Sequence, residues 1–186
     1  LTIPEIQGSG AISPYADRLA VTEGVVTLFT SDSRSFWIQQ YQGDGDPATS
    51  DAVFVYRGGD LADVSVGDLV SVQGRIREYT AGGRDTDLPL TEFSPTLDVA
   101  VIEEEHELPP PVEINVLPDL SIPEGAAFLE ALEGMLVRVA DASVVGPTNR
   151  YGEFVVVARE NARPGSGFLP QISQVLLNRD RSGTVD

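Results

Sequence analysis

The loop at residues 43–51 carries three carboxylates, those of Asp44, Asp46 and Asp51. Close carboxylates and loop carbonyl oxygens suit a hard cation such as Ca²⁺, which takes oxygen ligands in flexible geometry. The alternative is a solvent-facing turn held by Asx hydrogen bonds. We favour the turn, because Ala48 offers no ligand side chain at the fifth position of an EF-hand pattern.

The stretch at residues 178–186 comes closer to an EF-hand loop. Oxygen-bearing side chains fall at positions one, three, five and nine, and a glycine falls at position six. Asn178, Asp180 and Asp186 would supply side-chain ligands to Ca²⁺, the one cofactor that the sequence suggests. The given sequence ends at position nine of this pattern, before the glutamate of position twelve, and we favour a loosely paired tail.

Aromatic side chains and arginines share faces of two predicted strands. Trp37 and Tyr41 point to one side of the second strand because side chains alternate. OB barrels hold a single nucleic-acid strand on an aromatic platform beside arginines. The same aromatics can instead fill a barrel or pack under a second unit, which we favour for Trp37. The candidate nucleic-acid contacts are Trp37, Tyr41, Arg57, Arg75, Arg77 and Tyr79.

The sequence predicts no catalytic centre. A metal-dependent phosphodiesterase needs carboxylates and usually a histidine gathered at strand ends, where they activate water. The single histidine, His106, lies in a glutamate run just before three prolines, which is typical of a solvated linker. A Ser/His/Asp triad, a P-loop and a dinucleotide fingerprint are also missing. We therefore expect these residues to have no enzyme activity of their own.

Short alternating or β-branched runs, each closed by a turn-forming residue, predict the elements that position these side chains. Five such runs predict strands at residues 19–29, 35–41, 52–56, 68–79 and 88–102. Five strands in Greek-key order close into an OB-type barrel whose second and third strands form the usual ligand face. The predicted fold class is all-β: a five-stranded OB-type Greek-key barrel, then a second, smaller β unit with one short helix.

An acidic, proline-rich junction at residues 106–111 is predicted to separate the barrel, residues 1–105, from the second unit, residues 112–186. The helix is predicted near residues 123–133, with Gly134 as its stop, and is the only one predicted. The second unit is expected to be an incomplete OB-like unit, with strands at residues 112–117, 135–145 and 153–158 and an apolar run at 175–177.

The net charge is −17, from 29 acids against 12 bases, and every base is an arginine. Phosphate neutralisation by a basic face supplies most of the non-specific affinity for DNA. Neither half of the chain is a basic module, so any DNA binding must be local to a few arginines and aromatics, or bridged by cations. Acids and arginines are spread over both halves, which favours solubility, cation binding or a salty exterior.

Other features restrict the class of protein. The chain has no cysteine, which excludes a disulfide framework and a thiolate metal site. No stretch approaches the ~20 apolar residues needed to cross a bilayer, so we expect no membrane insertion. The sequence begins at Leu1 without an initiator Met or a signal peptide, and we expect a processed or excised segment of a longer protein.

Several short motifs occur in a specific order from about residue 3 to residue 158. They are IQG at 6–8, SP at 13–14, EGVVT at 23–27, FWIQ at 36–39, the loop at 43–51 with VFVY at 53–56, VGD at 66–68, Gly74 with EY at 78–79, EGMLV at 133–137 and RYGEF at 150–154. In order and spacing, this set is similar to the region preceding the catalytic domain in large secreted bacterial nucleases of the endonuclease/exonuclease/phosphatase class.

The resemblance implies an OB-like nucleic-acid-binding domain, a second β unit and a metal-dependent nuclease domain further along the parent chain. It carries over no catalytic residue. The leading hypothesis is a secreted or cell-surface accessory module that weakly holds single-stranded or extracellular DNA, or supports the downstream nuclease domain. The alternative is a calcium-stabilised structural or adhesive β module without a nucleic-acid role. An independent enzyme is the third hypothesis.

Overall fold

The computed structural model describes residues 1–30, 34–58, 63–80, 88–114, 123–139 and 143–148, and the backbone of two strands at 154–157 and 174–175. The fold is mostly β, as the sequence predicts. The elements are α1 (Ile3–Gln7), β1 (Leu19–Phe29), β2 (Phe36–Gln39), β3 (Ala52–Val55), β4 (Leu69–Tyr79), β5 (Leu90–Glu103), β6 (Val112–Ile114), α2 (Pro123–Glu130), β7 (Val137–Val139), β8 (Ser143–Val144), β9 (Phe154–Val157) and β10 (Gln174–Val175).

The first five strands form a closed barrel in the order β1-β2-β3-β5-β4. Neighbouring strands are antiparallel except β3 and β5, which run parallel with Phe54 opposite Glu92. The barrel closes between β1 and β4, where Leu19 lies opposite Arg75. This is the five-stranded Greek-key barrel that the sequence predicts, and each of its strands lies within two residues of the predicted bounds.

Alternation along the strands builds the core of the barrel. In β1 the burial pattern alternates from Leu19 to Gly24, and in β4 it alternates from Val70 to Arg77. Side chains of one phase point inward and those of the other phase face outward. The buried cluster consists of Ile3, Ile6, Ala20, Val26, Phe36, Ile38, Val53, Val55, Val70, Val72, Ile76 and Phe93. Burying one large apolar side chain contributes about 1.5–3 kcal/mol, so this cluster stabilises the barrel.

Helix α1 was not predicted from the sequence. Thr2 and Glu5 form a reciprocal capping box: Glu5 N donates to Thr2 Oγ1 at 3.3 Å, and Thr2 N donates to Glu5 Oε2 at 2.8 Å. The bond from the Thr2 backbone lowers the pKa of Glu5. The short helix places Ile3 and Ile6 in the core. A single apolar period is too short to reveal it, but the T-x-x-E spacing is a recognisable signal.

The chain divides into two compact units, Leu1–Pro111 with Ala127–Leu136, and Val112–Ala126 with Val137–Asp186. The first unit contains the barrel. In the second unit, β6 and β7 pair in parallel, with Val112 opposite Val137. A further small sheet has the order β10-β9-β8. Neither helix of the described chain has the length and apolar character needed to span a bilayer.

The single strand predicted at residues 135–145 is wrong. The structure has two short strands there, β7 and β8, which belong to different sheets because β7 pairs with β6 and β8 pairs with β9. A continuous apolar run does not show by itself that its two ends find different partners. The predicted helix is correct in place, but α2 ends at Glu130, and a turn leads on to Gly134.

Candidate functional site

The outer face of β2 and β3 is the place where an OB barrel usually takes a ligand. Because side chains alternate, Phe36 and Ile38 enter the core while Trp37 and Gln39 face outward. Trp37 lies opposite Phe54 of β3, and the two ring centroids are 5.0 Å apart in a tilted arrangement. The strands therefore present an aromatic pair beside an amide, as a stacking platform would require.

This face is occupied by a segment of the same unit, Ala127–Leu136, which we call the cover segment. The backbone N–H of Leu136 donates to Gln39 Oε1 at 2.8 Å. Ser50 Oγ donates to the carbonyl oxygen of Glu133 at 2.7 Å. The cover segment is thus held at two points by side chains that flank the aromatic pair, Gln39 at the end of β2 and Ser50 just before β3.

Gly134 lies directly against Trp37. A β-carbon at Gly134 would overlap ring carbons of the indole, and its φ of 68° lies in the left-handed region that favours glycine. The absence of a side chain lets the backbone of the cover segment approach the aromatic ring. Trp37 is therefore packed under the cover segment in this structure, in line with our preference for a packing role.

Glu133 is the most strongly perturbed acid of the described chain. Gln7 Nε2 donates to its carboxylate at 3.2 Å, and the same Nε2 donates to the carbonyl oxygen of Ala52 at 2.6 Å. Burial raises the pKa of Glu133 to about 7, more than the hydrogen bond from Gln7 lowers it, and the charge of Glu130 adds to the rise. The side chain of Glu133 therefore gains or loses its proton near neutral pH.

Glu130 and Glu78 lie near Glu133, and Glu92 lies near Glu78. Burial raises the pKa of Glu92 and of Glu130, and the charge of Glu78 raises both further. Glu78 accepts hydrogen bonds from the Ser13 backbone at 2.7 Å and from the Thr91 hydroxyl at 3.2 Å. The four carboxylates do not form a metal site, since no group of three or more His, Asp or Glu in the described chain could hold an ion.

Arginines gather around a turn at Asp17. Arg75 Nη1 donates to the Asp17 carbonyl oxygen, and Arg77 Nη1 forms an ion pair with its carboxylate. Arg18 is the next residue, and its guanidinium carbon lies 5.9 Å from the centroid of the Tyr15 ring. We call Arg75 and Arg77, the two arginines that bind Asp17, the arginine cluster. It sets two positive charges against the one charge of Asp17.

Arg18 and Asp17 were not among the residues predicted from the sequence. Both lie just before β1, where the Asp17 N–H donates to the Ile76 carbonyl oxygen at 2.9 Å and the Ile76 N–H donates to the Arg18 carbonyl oxygen at 2.9 Å. The β1–β4 register brings them beside Arg75 and Arg77. That register could not be read from the sequence, although the position of Arg18 at the start of a long strand was visible.

The other candidate nucleic-acid contacts are distributed around the barrel. Tyr79 continues the outward face of β4 and is 52% exposed. Trp37 lies on β2, which is not adjacent to β4. The Nε atom of Arg57 is buried and has no hydrogen-bond partner among the described residues. The structure therefore brings Arg75, Arg77 and Tyr79 onto one strand face and leaves Trp37 and Arg57 elsewhere.

Tyr41 lies two residues after the end of β2, next to the junction. Its hydroxyl donates to Glu107 Oε2 at 2.7 Å, a bond that raises the pKa of Tyr41, and its ring meets His106 edge-on with centroids 4.9 Å apart. Tyr41 and His106 line an open cleft of about 670 Å³, together with Val21, Leu69 and other residues. His106, predicted to be a solvated linker residue, is thus partly buried against Tyr41.

The acidic loop is organised by its own hydrogen bonds. Asp44 Oδ1 accepts from the Asp46 N–H at 2.8 Å, and Asp46 Oδ1 accepts from the Ala48 N–H at 2.9 Å. Asp51 Oδ1 accepts from the Asp44 N–H at 3.3 Å, and burial raises the pKa of Asp51. These are Asx turns, and they give no support to a calcium site in the loop. Asn178, Asp180 and Asp186 lie outside the described residues.

The end of the last barrel strand and the region that follows it match one family. Residues 101–177 match the family described as Domain of unknown function (DUF8508), which covers less than half of the chain. The matched region begins within β5 and includes the cover segment. No curated protein matches the chain.

Proposed function

We propose that this chain is a non-catalytic accessory module of a secreted bacterial nuclease, and that it weakly holds single-stranded nucleic acid on the arginine cluster and Tyr79. The nuclease domain of the same parent chain would be its partner, outside the cell or at the cell surface. The motifs from about residue 3 to residue 158 support the nuclease context. The OB-type strand order supports a role in binding rather than in catalysis.

The observation that carries the proposal is the local excess of positive charge on an acidic protein. Two exposed arginines, Arg75 and Arg77, bind one aspartate, while the chain as a whole has a net charge of −17. An arginine has five N–H donors, so a single bond to Asp17 leaves most of the donors of Arg75 and Arg77 able to contact phosphates. The exposed ring of Tyr79 adds a surface on which a base can stack.

We place the nucleic acid on β4 because the cover segment lies over the outer face of β2 and β3. Trp37 and Phe54 would otherwise be the stacking platform, but Gly134 lies against the Trp37 indole and Leu136 binds Gln39. A strand bound there would first have to displace the cover segment. Binding on β4 needs no such rearrangement, and the acidic surroundings keep it weak.

The proposal is tested by titrating a fluorescent single-stranded oligonucleotide with the full chain and measuring anisotropy at several salt concentrations. We expect a Kd of roughly 100 µM or weaker at physiological salt, tightening as salt is lowered. In the Arg75→Ala/Arg77→Ala variant, the slope of log K against log salt should become shallower by about 1.4, because each phosphate contact on a single strand contributes about 0.7.

Arg138→Ala is the matched control, since Arg138 is also exposed and also paired with an acid, Glu113, at 3.0 Å. It should bind like the unmodified chain. No binding at low salt, or equal weakening by Arg138→Ala and by the double variant, would overturn nucleic-acid binding by the arginine cluster.

A further inference from the structure

The contacts that hold the cover segment on the barrel lie next to the carboxyl group of Glu133. Glu133 receives a hydrogen bond from Gln7 of α1 through its side chain, and its carbonyl oxygen accepts from Ser50. The next residue, Gly134, lies against Trp37. The state of Glu133 therefore bears directly on whether the cover segment stays on the outer face of β2 and β3.

The charged groups that face Glu133 are all acidic within the part of the chain that the structure describes. Glu130 lies on α2 in the cover segment itself, and Glu78 lies on β4. The groups that favour its charged form are neutral, namely the side-chain amide of Gln7 and the backbone of Thr91. An ionised Glu133 would therefore be a half-buried charge that faces like charges without a cation, which is costly.

We propose that the cover segment is a pH-sensitive lid on the outer face of β2 and β3, closed while Glu133 is protonated and loosened when Glu133 ionises. The proposal is independent of the arginine cluster and stands even if that cluster binds nothing. The lid exposes or hides Trp37 and Phe54, the aromatic pair of the usual OB ligand face.

The direction of the pH effect follows from proton linkage. The pKa of Glu133 is about 7 under the lid, against an ordinary value of 4.5 when the segment is free. Between these values the closed form binds more protons than the open form, so rising pH favours opening. This difference in pKa means that raising the pH from well below 4.5 to well above 7 lowers the equilibrium constant for closing by up to about 300-fold.

The structure offers a specific probe, because Trp37 is the only tryptophan in the chain. Quenching of its fluorescence by acrylamide, a neutral quencher, measures its exposure without interference from the negative charge of the protein. In the full chain we expect the quenching constant of Trp37 to rise severalfold between about pH 5 and about pH 8. Circular dichroism recorded in parallel should show that the β-structure persists.

Two variants make the test specific. Glu133→Gln keeps the shape of the side chain without the charge, so Trp37 should stay protected over the whole pH range. Glu124→Gln alters an exposed glutamate at the start of α2 and should leave the transition unchanged. A third variant, Gly134→Ala, should expose Trp37 at every pH, because its β-carbon would overlap the indole.

Three results would overturn the proposal. One is a quenching constant in the unmodified chain that does not change with pH. Another is a transition of the same midpoint and amplitude in Glu133→Gln. The third is a loss of β-structure that accompanies the exposure of Trp37, because that would be general unfolding rather than opening of a lid.

Discussion

Gly74 shows how a single missing side chain can fix the geometry of the barrel. It lies in β4 opposite Thr96, between two register shifts of the β4–β5 pair. A β-carbon there would lie 2.9 Å from the Pro95 carbonyl oxygen and 3.0 Å from a ring carbon of Phe93. We expect Gly74→Ala to lower the free energy of unfolding by about 1–3 kcal/mol, because a backbone atom and a core ring must move.

Urea denaturation measures that loss, with Gly10→Ala as the control. A β-carbon at Gly10 would meet nothing within 4 Å, so this replacement should change stability by less than about 0.5 kcal/mol. Equal stabilities of the two variants would show that β5 yields freely at Pro95, contrary to the tight contact in the structure.

Alternation along the strands was the most successful residue-level signal in the sequence. It placed Arg75, Arg77 and Tyr79 on one face of β4, and the structure has all three outside the core. It could not anticipate that Gly134 lies against Trp37, because that contact joins residues almost a hundred positions apart. Such contacts depend on tertiary packing, which local patterns do not encode.

At the scale of elements, helix α1 has only a short signal in the sequence, yet it places Ile3 and Ile6 in the core of the barrel. Ile6 lies in the core with 0% exposure, whereas Ile12, a few residues later, is 58% exposed. We expect Ile6→Ala to lower the free energy of unfolding by about 2–5 kcal/mol, because it leaves a cavity in the core. Ile12→Ala should cost less than about 0.5 kcal/mol.

This matched pair of isoleucine variants is compared by chemical denaturation of the full chain. Similar small losses in both would mean that α1 detaches from the barrel at little cost and is not part of its core. A loss confined to Ile6→Ala would establish that the five residues of α1 belong to the folding unit of the barrel.

There is a physical reason why the sequence predicted some elements better than others. Strands β1 and β4 have eleven residues each, long enough for the alternation to be unambiguous. Helix α1 has five residues, too few for a helical period, and the cover segment is defined by what it contacts rather than by its pattern. The barrel was therefore predictable, whereas the occupation of its ligand face was not.

At the scale of the whole molecule, the net charge of −17 predicts that added salt stabilises the fold, whereas added salt is predicted to weaken oligonucleotide binding. Repulsion among 29 acids opposes compaction, and salt screens it: the Debye length falls from about 30 Å at 0.01 M to about 8 Å at 0.15 M ionic strength. We expect the melting temperature to rise by a few degrees over that range, since about 1 kcal/mol corresponds to ~2–4 °C for a chain of this size.

The same increase in salt should weaken oligonucleotide binding at the arginine cluster, because phosphate contacts release counterions. Comparing NaCl with CaCl₂ at equal ionic strength also tests the calcium alternative. Equal melting temperatures would mean that calcium acts only by screening, whereas a clearly larger rise with CaCl₂ would favour a calcium-stabilised module. A melting temperature that falls with NaCl would show that attractive ion pairs such as Arg77–Asp17 outweigh the repulsion of the acidic surface.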